Sequence, residues 1–190
     1  MPRTTLLSAL CALLVTASSK PVPVTQQFVG QGQILVLGGS SFSNATPADR
    51  IGCLNQSGIL TVDDCAVFTR QEKTPHSLST SAGSCSFRDS RMPANSESAY
   101  GKKSYAFSCR EDNAPPSDSD EGYYTVDGFN YPFLCNGNLF CYYDIKKFPT
   151  REKDAAPIWQ YFWGSSEQDI IAGHMQVLWL WVPVKGKESG

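Results

Sequence analysis

"HMQVLWLWVPV", His174 to Val184, decides the fold class. Val, Leu and Trp dominate it, and these residue types suit a pleated, half-buried surface. Pro183 falls near its end, where a strand tolerates proline. The stretch therefore predicts a long closing strand. Successive strand side chains point to opposite faces, so Trp179 and Trp181 share one. That face is expected to be core. Its functional alternative is an exposed surface on which a sugar or a partner stacks.

The same chemistry recurs upstream. "QILVLGG" (Gln33–Gly39), "GILTV" (Gly58–Val62), "CAVFT" (Cys65–Thr69) and "YAFSC" (Tyr105–Cys109) are short runs rich in β-branched or aromatic residues. Each is bounded by Gly, Asn, Asp or Ser. Asn55 to Gly58 predicts a hairpin turn between Ile51–Leu54 and Ile59–Val62. Gly122 to Ile145, "GYYTVDGFNYPFLCNGNLFCYYDI", reads as three strands joined at Asp127-Gly128 and Asn136-Gly137. A turn or two of helix is expected only near Ala155–Trp163, where Ile158, Trp159, Phe162 and Trp163 fall at helical spacing after Pro157. Asp89–Ser98 and Arg110–Gly122 read as long surface loops. The second holds Asp118, Asp120 and Glu121, which could chelate calcium but read better as a solvated acidic loop. Many short strands with Gly-rich turns indicate an all-β fold, a single disulfide-stapled β-sandwich or barrel-like domain with little helix.

The cysteines set the compartment. Of seven, Cys11 lies in a stretch with the marks of a secretory signal peptide. Arg3 supplies its positive end, Leu6–Val15 its short apolar core, and Ala17-Ser18-Ser19 its small residues. Residues 1–19 are expected to be removed, leaving residues 20–190 as one secreted domain. The apolar run is too short to span a bilayer, and so is Val177–Pro183. Six cysteines remain: Cys53, Cys65, Cys85, Cys109, Cys135 and Cys141. An even number in a secreted chain implies three disulfides. Cys53 and Cys65 form a candidate local pair. A two-residue turn at Asn136-Gly137 puts Cys135 and Cys141 on opposite faces of a hairpin, and a three-residue loop makes them diagonal. Neither suits a disulfide, so each is expected to bond elsewhere, with Cys85 and Cys109 as candidates. The hairpin tip, Asn136-Gly137, is expected to be exposed.

Charge and motifs exclude several functions. Without Arg3, 15 basic and 18 acidic residues remain, a net charge near −3. Lys102-Lys103 and Lys146-Lys147 are isolated pairs, not the clustered cations that phosphate neutralisation requires. No nucleic-acid partner is expected. No C-x-x-C pair exists and only His76 and His174 are present, so no metal or other cofactor is expected. The chain lacks a G-x-S-x-G elbow, an H-E-x-x-H pair and a phosphate loop. A two-histidine ribonuclease mechanism would need His76 beside His174, and nothing in the sequence brings them together. Both are expected at the surface. Asn44-Ala45-Thr46 and Asn55-Gln56-Ser57 fit the N-glycosylation pattern. Pro47 works against the first, and the predicted turn favours Asn55.

"YAFSC" followed by "YPFLCNGNLFCYYD" resembles the C-terminal domain of fungal PIR-type cell-wall mannoproteins. Phe107, Ser108, Cys109, Phe133, Cys135, Gly137, Phe140, Tyr143 and Asp144 match its pattern. "QQFVGQGQI" (Gln27 within it) is similar to the family's repeat, in which a glutamine becomes the ester link to wall glucan. It occurs once, with Leu35 where the repeat has a second glutamine, and no Lys-Arg processing site precedes the domain. The chain also resembles small cysteine-rich proteins secreted by filamentous fungi. The resemblance implies a non-enzymatic secreted protein acting at a fungal cell wall or in the extracellular space, with wall glucan or another extracellular molecule as partner. The alternatives are a secreted effector that binds a host molecule and a small secreted hydrolase.

Overall fold

The computed structural model describes residues 28–39, 41–72, 75–113, 122–137, 141–151, 154–162 and 170–184. The expected signal peptide, Gln27 and the acidic loop with Asp118, Asp120 and Glu121 lie outside them. The fold is all-β, a sheet curled into a half-barrel, which is the barrel-like alternative of the sequence reading.

Its spine is an antiparallel pair. β1 (Gln31–Gly38) runs against β13 (Met175–Pro183), in register from Gly32 opposite Pro183 to Gly38 opposite Val177. On its other edge β1 takes two partners. Its C-terminal half pairs with β2 (Arg50–Leu54), with an irregularity at Val36/Leu37. Its N-terminal end pairs with β4 (Phe68–Arg70). One arm continues from β2 through β3 (Leu60–Thr61) to β11 (Ala155–Ala156). The other runs from β4 through β5 (Leu78–Thr80) and β6 (Gly83–Ser86) to β7 (Ser108–Arg110). Beyond β13 lie β10 (Tyr143–Ile145) and then β12 (Trp159–Gln160). A separate two-stranded ladder joins β8 (Tyr123–Thr125) to β9 (Leu134–Asn136).

Alternation along the spine sorts residues into two faces. Ile34, Val36, Val177, Trp179 and Trp181 point inward and are buried in the main core. Trp179 stacks on Tyr143 with ring centroids 3.7 Å apart and meets Phe107 edge-on at 5.0 Å. Trp181 meets Phe28 edge-on at 5.1 Å. Gly32 makes room for this indole, since a Cβ there would lie 2.4 Å from the Trp181 ring. The core reading of the two tryptophans is the one the fold adopts.

The Asn55 turn forms as expected. Asn55 Oδ1 accepts the Ser57 and Ile59 amides, each at 3.0 Å, and Gly58 takes φ +80°. The expected helix near Ala155 does not form. The chain there gives β11 and β12. Ile158, between these strands, and Trp159, in β12, are both buried, and Trp163 lies outside the described residues. Among the described residues the helical content is one 3-10 turn, Pro47–Asp49.

Three disulfides tie the sheet: Cys53–Cys65, Cys85–Cys109 and Cys135–Cys141. The first matches the expected local pair. Cys85 and Cys109 sit directly opposite each other on β6 and β7. Cys135 and Cys141 bond to each other, contrary to the sequence reading. The reason is that β9 and β10 are not a hairpin. β9 pairs with β8, while β10 leaves for β13 and β12. Cross-strand register then no longer governs the two cysteines, whose Cα atoms lie 4.0 Å apart. Gly137 does take a positive φ, +58°, as an Asn-Gly turn requires. Asn136, however, is fully buried and accepts a hydrogen bond from Gln160, so it is not an exposed tip. Such a bond set implies folding in an oxidising, extracellular type of environment. No helix among the described residues is long and apolar enough to cross a membrane.

Candidate functional site

The outward face of the spine carries Leu35, Leu37, Leu178, Leu180 and Val182. Water cannot be left on so much apolar strand surface at no cost, and two loops cover it. One brings Phe42 and Ala45 from the turn after β1. The other brings Phe129, Tyr131 and Phe133 from the β8–β9 connection, and Tyr142 joins them just before β10. Phe42 is the hub, with ring centroids 5.1 Å from Phe129, 5.2 Å from Phe133 and 5.0 Å from Tyr142. Phe133 is fully buried, but Phe42, Phe129, Tyr131 and Tyr142 are only half-buried. The result is an aromatic surface on a rigid two-stranded base. Partial burial pushes the Tyr142 phenol above its ordinary range, so it stays a neutral donor. Aromatic rings at hand for stacking, with a phenol at the rim, suit a neutral ligand with apolar faces and hydroxyl edges.

A polar cluster lies at the other side of β13. His174, just ahead of that strand, donates from Nδ1 to Asp144 Oδ1 at 2.7 Å. Asn95 donates to the other Asp144 oxygen, also at 2.7 Å. Both the His174 and Asp144 side chains are 2 % exposed. His174 Nε2 is buried, lacks a hydrogen-bond partner and lies 3.6 Å from Glu97 Oε2. Glu97 pairs with Lys146, whose ammonium is the main reason its carboxyl sits below the ordinary range. Trp159 flanks the imidazole and donates its indole N–H to Pro93. A carboxylate–histidine pair of this kind can orient a general base, but here the free ring nitrogen is sealed from solvent. The cluster ties the Asp89–Ala106 connection to β10, β12 and β13.

The expected surface positions are therefore corrected in three places. His174 is buried because Asp144 and Asn95 satisfy its polar edge. His76 is half-buried and keeps separate company: Arg70 approaches its Nε2 at 2.6 Å, and its Nδ1 lies 3.2 Å from the Gln71 carbonyl. Arg70 can only donate, so the Nδ1 nitrogen carries the proton. The histidines share no partner. The Asp89–Ser98 loop is also not wholly at the surface. Asp89, Asn95 and Ser98 are buried, and Asp89 is held by Arg91 and, at 3.7 Å, by Arg110. Hydrogen bonding from Arg91 holds the Asp89 carboxyl below its ordinary value.

Of the sequons, Asn44 is exposed on the turn that carries Phe42, and Asn55 is half-buried in its hairpin turn. Among the described residues no group of three or more His, Cys, Asp or Glu side chains could hold a metal ion. Sequence reasoning missed Phe42, isolated among small polar residues, and the Asn95–Asp144–His174 contact, whose members are far apart in the chain. Compared with known protein families, curated proteins and solved structures, the chain matches none.

Proposed function

We propose that this is a non-enzymatic secreted protein of fungal type that acts at the cell wall or in the extracellular space. It holds its partner on the aromatic outer face, and wall glucan is the partner this reading favours. The observation that carries it is the half-buried group Phe42, Phe129, Tyr131 and Tyr142 fixed over the β1–β13 pair. Pyranose rings present apolar faces to aromatic side chains and hydroxyls to polar rims. Two further points support binding over hydrolysis. The His174–Asp144 pair has its other ring nitrogen buried, and three disulfides make a domain built to persist outside the cell.

Cell fractionation tests the reading. The protein should remain with detergent-washed walls and be released by competing soluble β-glucan or by glucanase. Release by alkali alone would move the attachment to an ester at Gln27. A protein found wholly in culture fluid or host tissue, with no affinity for glucan, would overturn the wall reading in favour of an effector.

A further inference from the structure

The three disulfides differ in their electrostatic surroundings. Cys85 and Cys109 are both buried. Cys135 is buried and Cys141 lies 4.0 Å from the Tyr124 hydroxyl. Among the described residues a cation lies against the sulfurs of Cys53–Cys65. Arg50 Nη2 lies 3.4 Å from Cys65 Sγ and 3.8 Å from Cys53 Sγ. The same nitrogen donates to the Val62 carbonyl at 2.7 Å and lies 3.6 Å from Asp63. The carbonyl bond fixes the guanidinium in place. Cys65 is partly exposed and lines an open groove of about 520 Å³ with Gln31, Gln56, Thr69 and Thr80.

We propose that Cys53–Cys65 is a thiol-exchange site for a low-molecular-weight thiol, with Arg50 as its activating residue. The thiolate of the small thiol enters by the groove and attacks Cys65 Sγ. The Cys53–Cys65 bond breaks, a mixed disulfide forms on Cys65, and the electron pair leaves on Cys53 Sγ. A second thiolate attacks the small-thiol sulfur of the mixed disulfide and releases the Cys65 thiolate. Two small thiols are oxidised to their disulfide, their two protons pass to the protein, and the cystine becomes two thiols. Each departing thiolate meets a guanidinium already within 3.8 Å. An adjacent arginine favours the thiolate, and a better leaving thiolate departs faster. Asp63 opposes this through its own charge and its hold on Arg50.

The test is timed reduction of the folded, secreted protein by glutathione, with alkylation of free thiols and mass mapping. Cys53 and Cys65 should be labelled first. Arg50→Gln should slow that labelling by about three- to tenfold, and Asp63→Asn should speed it. The two side chains are exposed, at 36 % and 67 %, and circular dichroism of each variant checks that it folds. Earlier labelling of either other pair, or equal rates in wild type and both variants, would overturn the proposal.

Discussion

The two faces of the β1–β13 pair are built from the same kinds of residue and meet opposite fates. Inward, Trp179 and Trp181 are sealed by Tyr143, Phe107 and Phe28, with Gly32 cleared to admit an indole. Outward, leucines are covered by four loop-borne rings that remain half at the surface. The difference teaches that aromatic content alone does not distinguish core from contact surface. What distinguishes them is who supplies the cover. Sheet strands and their flanking loops close the inner face completely, while two loops leave the outer one partly open.

The comparison breaks first at the inner face. Trp179→Ala removes a fully buried ring and should cost about 3–5 kcal/mol, a large share of a domain's stability. Urea unfolding should show it, and a near-neutral result would mean the ring stack is not the core. The disulfides come next. Loop closure over 24 residues for Cys85–Cys109 and 6 for Cys135–Cys141 implies losses of about 3.5 and 2 kcal/mol. Cys109→Ser should therefore reduce secreted yield more than Cys141→Ser, and the reverse order would count against the assigned pairing.

An electrostatic clamp on the β6–β7 connection should show in the acid limb of stability. The Asp89 carboxyl lies below its ordinary value, chiefly through Arg91. Its contribution is thus present above the ordinary aspartate range, near 3.8, and is lost as pH falls through and below it. Arg91→Gln should flatten this acid limb in melts taken between neutral pH and about pH 2. An unchanged slope would show that the pairing adds nothing. The smallest stability effect belongs to the outer face. Phe42→Ala should cost about 1 kcal/mol while weakening polysaccharide binding strongly.

Much of this was legible in the sequence. The closing strand, the Asn55 turn and the Cys53–Cys65 pair followed from residue type, turn chemistry and local spacing. The hairpin at Cys135–Cys141 was misread because the Asn-Gly signal reports backbone twist at one point, Gly137, and not which strand the next segment joins. β10 leaves because Tyr143 stacks on Trp179 and pairs with Val177 of β13, contacts that short-range pattern does not encode. Trp159 likewise took strand geometry through tertiary pairing with Asp144. The residues behind the family resemblance include Phe107, Ser108, Cys109, Phe133, Cys135, Tyr143 and Asp144, and all are buried. They speak to how an interior is packed, whereas Phe42, the hub of the outer surface, lies in no motif.

The most direct measurement is co-sedimentation with insoluble β-glucan for the wild type and two variants of comparable fold. One is Phe129→Ala/Tyr131→Ala on the outer face. The other is Trp181→Phe on the inner face. The account predicts that the outer variant loses binding by about tenfold or more with a modest change in melting temperature. The inner variant should be destabilised yet bind as the wild type does. Unchanged binding by the outer variant, or absent binding by the wild-type protein, would contradict the claim that the half-covered aromatic face is the contact surface.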